Sequence, residues 1–311
     1  MAVLEKRYND YASYLKKIFP EKVQKISINA GFSCPNRDGS IGVGGCTYCN
    51  NQTFNPEYCK PDKSITQQMQ EGMDFFKKYE GQKYLAYFQA YTNTYGSFEN
   101  LKRKYEEALT LPDVYGIVIG TRPDCVSIEL LNYLSELSKN HYVMIEYGLE
   151  STLEKTLTLI NRGHNYTSAV KAIEESAKRG LNTCAHLILG LPQESQEEIL
   201  EHATTISQLP LTTIKLHQLQ IIKGTKMAQQ YETHPEWFHI YTADEYIDMA
   251  IDFTERLNPD FVIERFVSQS PQELRIEPNW GLKNYEFTAK LEKRMVERDT
   301  YQGKKWREKQ K

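Results

Sequence analysis

Six short apolar runs, rich in β-branched and aromatic residues, recur along the chain. They are VQKISI (23–28), YLAYFQA (84–90), YGIVIGT (115–121), YVMIEYG (142–148), TCAHLIL (183–189) and IKLHQLQII (214–222). The stretches between them, near residues 63–79, 97–109, 126–139, 166–179 and 193–207, have the apolar spacing of helices packed on one face. Apolar strands that alternate with such helices predict a parallel sheet covered by helices.

Six such units within about 200 residues predict an α/β fold, a partial (β/α)6 barrel of the TIM-like kind. A doubly wound open sheet is the alternative, and in both folds ligands bind at the carboxyl ends of the strands. A helix near 242–257 and a strand at FVIERF (261–266) predict a short C-terminal α/β extension. We therefore expect a partial barrel with an N-terminal extension over residues 1–235, and a C-terminal extension with a basic tail over residues 236–311.

The composition is that of a globular protein, with 40% hydrophobic and 25% charged residues in a chain of 311. No apolar run reaches the roughly 18 residues that a membrane-spanning helix needs. The first residues, MAVLEKRYND, lack the apolar core of a signal peptide. We therefore expect a cytoplasmic protein without membrane association. Six cysteines in a reducing compartment are expected to bind metal, to do chemistry or to fill the core.

The charge is unevenly distributed, although the net charge of the whole chain is −3. The segment from Lys283 to Lys311 holds ten basic and five acidic residues, so its net charge is +5 and that of the remainder is −8. Trp280 precedes this segment, and Tyr285, Tyr301 and Trp306 lie within it. It is interpreted either as a solvated helix end or as an arm that contacts phosphates.

Three cysteines lie within one glycine-rich segment that follows the first predicted strand, GFSCPNRDGSIGVGGCTYCN (31–50). Cys46 and Cys49 have C-x2-C spacing, and eleven residues separate Cys34 from Cys46. The C-x2-C pair can bind one metal centre, and the glycines allow the chain to fold back so that Cys34 joins it. The segment is expected at the carboxyl-terminal edge of the sheet.

Three clustered thiolates leave one position of a metal centre without a protein ligand. A structural zinc ion and a [4Fe–4S] cluster each take four ligands. Zinc could be completed by Cys59 or His164, and the cysteines could also be incidental. The pattern favours an iron–sulfur cluster with one open iron, where a substrate or cofactor can bind. Cys59, Cys125 and Cys184 are expected to be structural, Cys184 as a small core residue in a strand.

These residues resemble the radical S-adenosylmethionine (SAM) enzymes. In that family three cysteines hold a [4Fe–4S] cluster, and SAM chelates the fourth iron. The commonest spacing is C-x3-C-x2-C, whereas this chain has C-x11-C-x2-C. An expanded first gap occurs in the branch that resembles the catalytic subunit of Elongator. The resemblance implies a radical SAM barrel, with Cys34, Cys46 and Cys49 as cluster ligands and Tyr48 near the adenine.

Further segments match the motifs of that family and extend the resemblance over nearly the full length. They are FQAYTNTY (88–95), IEYGLES (145–151), INRGHNYTSAVKAI (160–173), AHLILGLPQES (185–195), IKLHQLQIIKGT (214–225) and DTYQGKKW (299–306). The resemblance implies that SAM is bound by Asn93, Thr94, Glu146, Glu150, Arg162, His186, Leu189 and Gly190. Asn93 and Thr94 would serve the amino group although the usual Gly-Gly-Glu is absent.

The roles implied by these matches differ from residue to residue. Arg162 would pair with the SAM carboxylate, which suits a guanidinium fork. His186 would face the ribose, and Leu189 and Gly190 would pack by the adenine. The alternative for Glu146 is a salt-bridged residue inside the barrel.

Two of the matched segments contain further polar residues whose position or role can be predicted. His164 of the NRGH segment is either functional or merely a residue at a helix start. Lys215 and His217 are expected to point into the barrel or to cap it.

The resemblance implies reductive cleavage of SAM to a 5′-deoxyadenosyl radical, which needs a low-potential electron donor such as flavodoxin or ferredoxin. The Elongator-like branch modifies wobble uridines of tRNA, and the chain ends at Lys311 without an acetyltransferase domain. A compact bacterial subfamily of this branch implies conversion of 5-carboxymethylaminomethyluridine to 5-aminomethyluridine.

Two rival interpretations belong to other classes of protein. One is a radical SAM enzyme that acts on a porphyrin or another small molecule. The other is a zinc-stabilised module that binds RNA without catalysis.

Overall fold

The protein, described here from a computed structural model over residues 6–50, 53 and 55–306, is built on a curled sheet of seven parallel strands. The order across the sheet is β1-β2-β3-β4-β5-β6-β8. The strands are β1 Val23–Ile28, β2 Lys83–Phe88, β3 Val114–Thr121, β4 Tyr142–Glu150, β5 Asn182–Leu189, β6 Thr213–Gln218 and β8 Val262–Arg265. A separate antiparallel pair consists of β7 Ile221–Ile222 and β9 Arg275–Glu277.

Ten α-helices lie within the described residues. They are α1 Tyr11–Ile18, α2 Ile65–Phe76, α3 Phe98–Leu109, α4 Ile128–Leu137, α5 Glu154–Leu159, α6 Tyr166–Ala177, α7 Gln196–Ile206, α8 Lys226–Thr233, α9 Ala243–Thr254 and α10 Asn284–Glu297. Side chains that accept a hydrogen bond from the first turn fix several helix starts, for example Ser64 for α2, Ser127 for α4 and Asn165 for α6. In this part of the chain no helix is both long and apolar enough to cross a bilayer.

The predicted partial barrel is confirmed, with two differences in its strands. The run predicted as one strand over 214–222 is two, because the chain leaves the main sheet after Gln218 and Ile221–Ile222 pair with β9. Gln218 holds this exit, since its side chain donates to the carbonyl of Ser268 and accepts from the Ser268 amide, both at 2.9 Å. The strand predicted in the C-terminal extension is β8, which pairs with β6 and becomes the seventh strand of the main sheet.

Alternate residues of the strands face opposite sides of the sheet, and both sides are apolar along much of their length. Ile117 and Ile119 of β3 pack outward into the large core beneath the helices. Val118 faces inward and joins a smaller cluster with Met144 and Cys184. Cys184 is fully buried there, as expected for a core cysteine.

Helix α1 closes the amino-terminal end of the barrel interior. Its Tyr14 and Leu15 pack against the inner cluster, and Phe19, which follows the helix, is part of that cluster. The ring centroids of Phe19 and Tyr142 lie 5.5 Å apart in an edge-to-face arrangement. The interior is therefore filled at this end, and open space remains toward the carboxyl ends of the strands.

The segment that precedes α1 is held to the C-terminal part of the chain. The amide of Asn9 donates to Oε1 of Gln302 at 3.0 Å, and the amide of Ile263 in β8 donates to the Asn9 carbonyl at 2.8 Å. Arg7 forms an ion pair with Asp299 at 2.8 Å. The edge strand β8 is thus covered by residues from the start of the chain, which in turn rest on residues near its end.

A layer of four charged side chains crosses the barrel interior above the apolar cluster. Lys25 Nζ lies 2.9 Å from Glu146 and 2.8 Å from Glu264. Lys215 Nζ lies 2.5 Å from Glu146 and 3.1 Å from Glu264. These residues come from β1, β4, β6 and β8, so the layer joins the two edge strands through the interior. Burial alone would raise the pKa of Glu146, but Lys215 and Lys25 hold it well below its usual range.

We predict that Glu146→Gln destabilises the fold in a pH-dependent way. The substitution keeps the shape of the side chain but leaves the two lysines with one carboxylate, which costs roughly 3–5 kcal/mol at neutral pH. Because the folded-state pKa lies well below the ordinary value of 4.5, the wild-type advantage is complete above that value. It is lost as pH falls through the folded-state pKa.

Denaturant unfolding at neutral and acidic pH measures this difference. Glu136→Gln is the control, because Glu136 is an exposed residue whose ion pair with Lys139 should contribute at most about 1 kcal/mol. A difference between wild type and Glu146→Gln that stays constant with pH would show that the carboxylate charge does not stabilise the barrel.

Candidate functional site

A cavity lies at the carboxyl ends of the strands and is open to one side. Strand residues of alternating position line it, among them Tyr87 of β2, Glu146 and Gly148 of β4, His186 and Ile188 of β5, His217 of β6 and Arg265 of β8. The loop after β1 contributes Cys34, Arg37, Gly45, Cys46, Tyr48 and Cys49. Parallel strands deliver their carboxyl ends to one edge, so loops distant in sequence meet there.

The three clustered cysteines face this cavity together, and all three thiols are free. Gly45 lets the loop fold back beneath them, since its φ of +79° is in the left-handed region. A Cβ at Gly45 would also lie 2.8 Å from Nε of Arg37. Arg37 uses its guanidinium to donate to the Cys49 carbonyl at 3.0 Å. Burial raises the pKa of the Cys49 thiol.

The NRGH segment after α5 holds the cysteine loop in place. The side chain of Asn36 donates to the Asn161 carbonyl at 2.6 Å, and the side chain of Asn161 donates to the Gly45 carbonyl at 2.8 Å. The amide of Thr47 donates to the Ile160 carbonyl at 2.9 Å. The two motifs that stood out in the sequence are therefore one structural unit.

Arg162 extends from this unit along the cavity wall and is only 5% exposed. It donates through Nη1 to the Sγ of Cys46 at 3.6 Å and through Nη2 to the Gly148 carbonyl at 2.5 Å. Glu150 lies 3.7 Å from Nη2. The Nε of Arg162 is buried without a hydrogen-bond partner among the described residues. A buried cationic donor with unused capacity, beside a thiol, suits an anionic ligand.

Near the end of β4, the absence of a side chain at Gly148 leaves room for the guanidinium of Arg162. A Cβ at Gly148 would lie 2.6 Å from Glu150 Oε1 and 2.7 Å from Arg162 Nη2. The register against β5 shifts between Gly148 and Glu150, and Glu150 adopts a φ of +71°. This irregularity places the Glu150 side chain on the cavity as well.

Eight of the twelve predicted site residues line the cavity. They are Cys34, Cys46, Cys49, Tyr48, Glu146, Glu150, Arg162 and His186. Glu146 is fully buried, and its oxygens contact Lys25, Lys215 and Nε2 of His186, the last at 3.0 Å. Within the chain, Glu146 therefore makes the salt bridges that were expected as the alternative to SAM binding. Lys215 and His217 point into the barrel, as expected.

Asn93 and Thr94 are buried but do not line the cavity. The Asn93 side chain donates to the carbonyls of Phe88 and Gly120, and the Thr94 hydroxyl donates to the Cys125 carbonyl. Through these bonds they join the ends of β2 and β3, and the Oδ1 of Asn93 is buried without a partner in the part of the chain that the structure describes. The cavity-facing residues of this segment are Gln89, Tyr91 and Thr92.

Leu189 and Gly190 also lie away from the cavity. Leu189 is fully buried in the core beneath the helices, and a Cβ at Gly190 would lie 3.1 Å from the ring of Tyr241. Strand alternation explains the position of Leu189, because His186 and Ile188 face the cavity and Leu189 must then face outward. Gly190 follows the end of β5 and has a φ of +89°, so the alternation does not continue to it. Ile188 takes the position that was expected for Leu189.

Neither residue considered as a fourth zinc ligand lines the cavity. Cys59 packs in the core, where burial raises the pKa of its thiol to about 12. His164 Nε2 donates to the Gly148 carbonyl at 3.3 Å, and burial lowers the pKa of His164 to about 3. Over the described ranges, no three His, Cys, Asp or Glu side chains are arranged to hold a single metal ion.

Several charged residues of the site were not predicted from the sequence. Arg37, Arg122 and Arg265 line the cavity, and Lys25 and Glu264 belong to the charged layer of the barrel interior. A usable signal existed for three of them, because Lys25, Glu264 and Arg265 interrupt strands that are otherwise apolar. A charge in a buried parallel strand needs a partner; Lys25 and Glu264 pair with each other inside the barrel, whereas the only described side chain that Arg265 bonds to is His217.

The basic C-terminal segment is largely occupied within the fold. Arg294 pairs with Asp244 at 3.0 Å and with Asp248 at 2.7 Å, and Arg298 pairs with Asp252. Helix α9 thus supplies the acidic partners. Trp280 stacks on Phe287 in the core, although Tyr285 and Tyr301 are exposed. Residues 307–311 of the predicted phosphate-contacting arm lie outside the described residues.

Family models match most of the chain. The radical SAM superfamily model matches residues 34–206, which begin at Cys34 and end with α7. The chain belongs to the radical SAM superfamily. A second model, the radical SAM C-terminal domain, matches residues 211–297.

This radical SAM protein also has relatives in sequence. YtqA of Bacillus subtilis is 37% identical to it over 302 residues, which cover 96% of this chain and 93% of YtqA. The tRNA uridine(34) acetyltransferase of Methanocaldococcus infernus is 26% identical over 149 residues, which cover 47% of this chain and 27% of that protein.

A solved structure shares the fold of this radical SAM protein. Archaeal Elp3 of Methanocaldococcus infernus, with an N-terminal deletion, superposes with a TM-score of 0.65 at 16% sequence identity. The match covers 91% of this chain and 64% of the archaeal chain, so this chain spans less than two thirds of its length. The likeness confirms a parallel sheet curled into a half-barrel.

Radical SAM proteins use a [4Fe–4S] cluster and SAM, and these are the cofactors of this chain. The residues around the cavity fit both groups. Three free thiols share one wall, and an all-sulfur donor set suits iron–sulfur clusters. The unpartnered Nε of Arg162 offers a donor for an anionic group beside Cys46.

We predict that Gly148→Ala weakens SAM binding and leaves the fold intact. The added methyl group would displace the ends of the Arg162 and Glu150 side chains, which can move without shifting the backbone. We expect at least about a tenfold loss of SAM affinity, or about 1.4 kcal/mol. Equilibrium binding to the cluster-loaded protein measures the affinity, and thermal unfolding checks the fold.

Gly96→Ala is the matched control, because a Cβ there meets its nearest neighbour at an ordinary 3.6 Å. Unchanged SAM affinity in a folded Gly148→Ala protein would mean that the position of Arg162 does not matter for SAM.

Proposed function

We propose that this radical SAM enzyme modifies the wobble uridine of tRNA and converts 5-carboxymethylaminomethyluridine to 5-aminomethyluridine. The observation that carries the proposal is the sequence likeness to a tRNA uridine(34) acetyltransferase. The fold likeness to archaeal Elp3 is consistent with it. The cysteine-lined cavity, open at the carboxyl ends of the strands, is a place where an unstacked base can enter.

In this proposal Cys34, Cys46 and Cys49 hold three irons of the cluster. The thiols share one cavity wall, and the residues considered as a fourth ligand lie elsewhere. Asn36 and Arg162 each donate to the Sγ of Cys46 at 3.6 Å and so orient it. When bound, the cluster and SAM supply a 5′-deoxyadenosyl radical that takes a hydrogen atom from carbon, and the electron consumed is recovered afterwards.

The proposed SAM contacts follow from the geometry. Arg162 pairs with the carboxylate of SAM, since its unpartnered Nε lies in the same side chain that reaches Cys46. Glu150, beside Arg162 on the cavity, binds the SAM amino group. Tyr48 and Ile188 offer flat and apolar surfaces for the adenine.

His186 faces the ribose in this proposal, and Glu146 positions it. Nε2–H of His186 donates to Glu146 Oε2, which fixes the ring and leaves Nδ1 as an acceptor for a hydroxyl group. Glu146 is therefore assigned a role beneath the cofactor, because its own oxygens are engaged by Lys25, Lys215 and His186.

The substrate chemistry balances with SAM as the two-electron oxidant, because SAM takes up one electron when it is cleaved and then a hydrogen atom from the substrate. Loss of a hydrogen atom from the methylene between the amine and the carboxylate, followed by loss of an electron and of the nitrogen proton, leaves an imine. Water splits the imine into 5-aminomethyluridine and glyoxylate, and a C–N bond is broken in this step. The overall reaction consumes SAM and water and releases methionine and 5′-deoxyadenosine.

The walls of the barrel protect this chemistry from water. Helix α1 and the apolar cluster close one end, and the layer of Lys25, Glu146, Lys215 and Glu264 lies above them. Access is therefore from the carboxyl-terminal end. The enzyme needs a reductant, and we propose flavodoxin or ferredoxin as the donor.

We predict that Cys34→Ala, Cys46→Ala and Cys49→Ala each abolish cluster binding. Loss of one of three thiolate ligands should remove the brown colour and the broad visible absorption of the anaerobically reconstituted protein. Iron content and absorption spectra measure the result. Cys125→Ala is the control, because Cys125 does not line the cavity. A colourless wild-type protein that holds zinc would support the zinc module instead.

We predict that the cluster-loaded protein converts 5-carboxymethylaminomethyluridine in tRNA when SAM and a strong reductant are present. Mass spectrometry of digested nucleosides should show 5-aminomethyluridine, and glyoxylate should appear in equal amount. Release of 5′-deoxyadenosine should depend on this tRNA.

Two results would contradict the proposed substrate. One is an unaltered tRNA together with a fully loaded cluster. The other is release of 5′-deoxyadenosine that depends on a small molecule and not on tRNA, which would favour the small-molecule alternative.

A further inference from the structure

Arg265 is the last residue of the edge strand β8 and lines the cavity. Its Nη2 donates to Nε2 of His217 at 3.1 Å, and its Nε is buried without a partner. Within the described ranges Arg265 forms no ion pair. Arg265 is half-buried, but its Nε is removed from water without a described acceptor, which is costly; such a cationic donor in a cavity wall indicates an anionic ligand.

The charges around Arg265 do not neutralise it. Below it, the two lysines and two glutamates of the barrel layer balance one another. His217 is uncharged, because burial and the neighbouring Arg265 lower the pKa of His217 well below its usual range. One net positive charge therefore remains on the wall formed by β6 and β8.

The other arginines of the cavity have different partners. Arg122 forms two hydrogen bonds with Asp124, and Arg162 lies beside Glu150. Arg37 donates to the Cys49 carbonyl. Arg162 reaches Cys46, so it serves the group next to the cluster, whereas Arg265 bonds to His217 of β6 and not to a residue of the cysteine loop (31–50). The cavity thus offers a second position for an anion.

We infer that Arg265 binds the carboxylate of the substrate and so selects a uridine whose side chain ends in an acid. This inference rests on the proposed function, because 5-carboxymethylaminomethyluridine carries such a carboxylate and its product does not. A guanidinium presents two parallel donors that match a carboxylate. His217 accepts from Nη2 and holds the guanidinium, which leaves Nε and Nη1 for the substrate.

The inference explains how the enzyme would release its product. Removal of the carboxymethyl group deletes the anion that Arg265 binds, and the amine that remains is cationic. A cation beside Arg265 is repelled, so the same residue favours the substrate and disfavours the product.

The experiment measures binding of two tRNAs to the cluster-loaded protein with SAM and without reductant, so that no turnover occurs. One tRNA carries 5-carboxymethylaminomethyluridine and the other carries 5-aminomethyluridine. We expect the wild-type protein to prefer the first by at least about tenfold, which is about 1.4 kcal/mol. Arg265→Gln should lose this preference and keep its affinity for SAM.

Two further variants separate charge from geometry and from folding. Arg265→Lys keeps the charge but loses the planar fork, so it should retain part of the preference. It replaces Arg265→Gln as the test variant if Arg265→Gln does not fold. Arg103→Gln is the control, because Arg103 lies on α3 outside the cavity and bonds to Asn100 in the same helix. The control should retain the full preference.

The outcomes distinguish the inference from the proposed function. If the wild-type protein prefers or converts the carboxymethylated tRNA and Arg265→Gln does so equally well, the inference is wrong and the function stands. If Arg265→Gln loses SAM binding instead, Arg265 serves the cofactor and the inference is also wrong. If the wild-type protein neither prefers nor converts that tRNA, the proposed function fails and the inference fails with it.

Discussion

The buried carboxylate of Glu146 is the interaction on which the rest of the barrel interior depends. It receives Lys25 from one edge of the sheet and Lys215 from near the other, and it fixes the ring of His186 above. Its charge is held in the ionised form by those lysines. One side chain therefore holds the charged layer together and links the edge strands. The same side chain orients His186 in the cavity.

The parallel sheet could be predicted from the sequence because the patterns that mark strands and helices are local. Apolar strands that alternate with amphipathic helices predicted a parallel sheet, and β1 to β6 lie where the apolar runs are. The exit of the chain after Gln218 was not predictable from the apolar run 214–222. It depends on hydrogen bonds between Gln218 and Ser268, which are fifty residues apart.

The cysteine segment and NRGH were predictable as site elements because their residue types are unusual. Which face of a strand carries the site is a different matter. Leu189 was expected at the cavity, and Ile188 is there, since a shift of one residue reverses the side of the sheet. Asn93 and Thr94 have the right polar atoms, but these atoms tie two strand ends together. Polarity alone does not distinguish a ligand contact from an internal hydrogen bond.

The contact between Asn9 and Gln302 has a consequence for how the chain reaches its final form. These residues are 293 positions apart, and the Asn9 carbonyl also covers the backbone of β8. During synthesis the Asn9 backbone cannot pair with β8 until Ile263 has been made, and it cannot contact Gln302 until later still. The contacts of Asn9 with β8 and with Gln302 are thus expected to form late. The large separation of these residues in sequence favours slow completion of the barrel. Strands β1 to β6 neighbour one another in chain order, so we expect them to assemble before these distant contacts form.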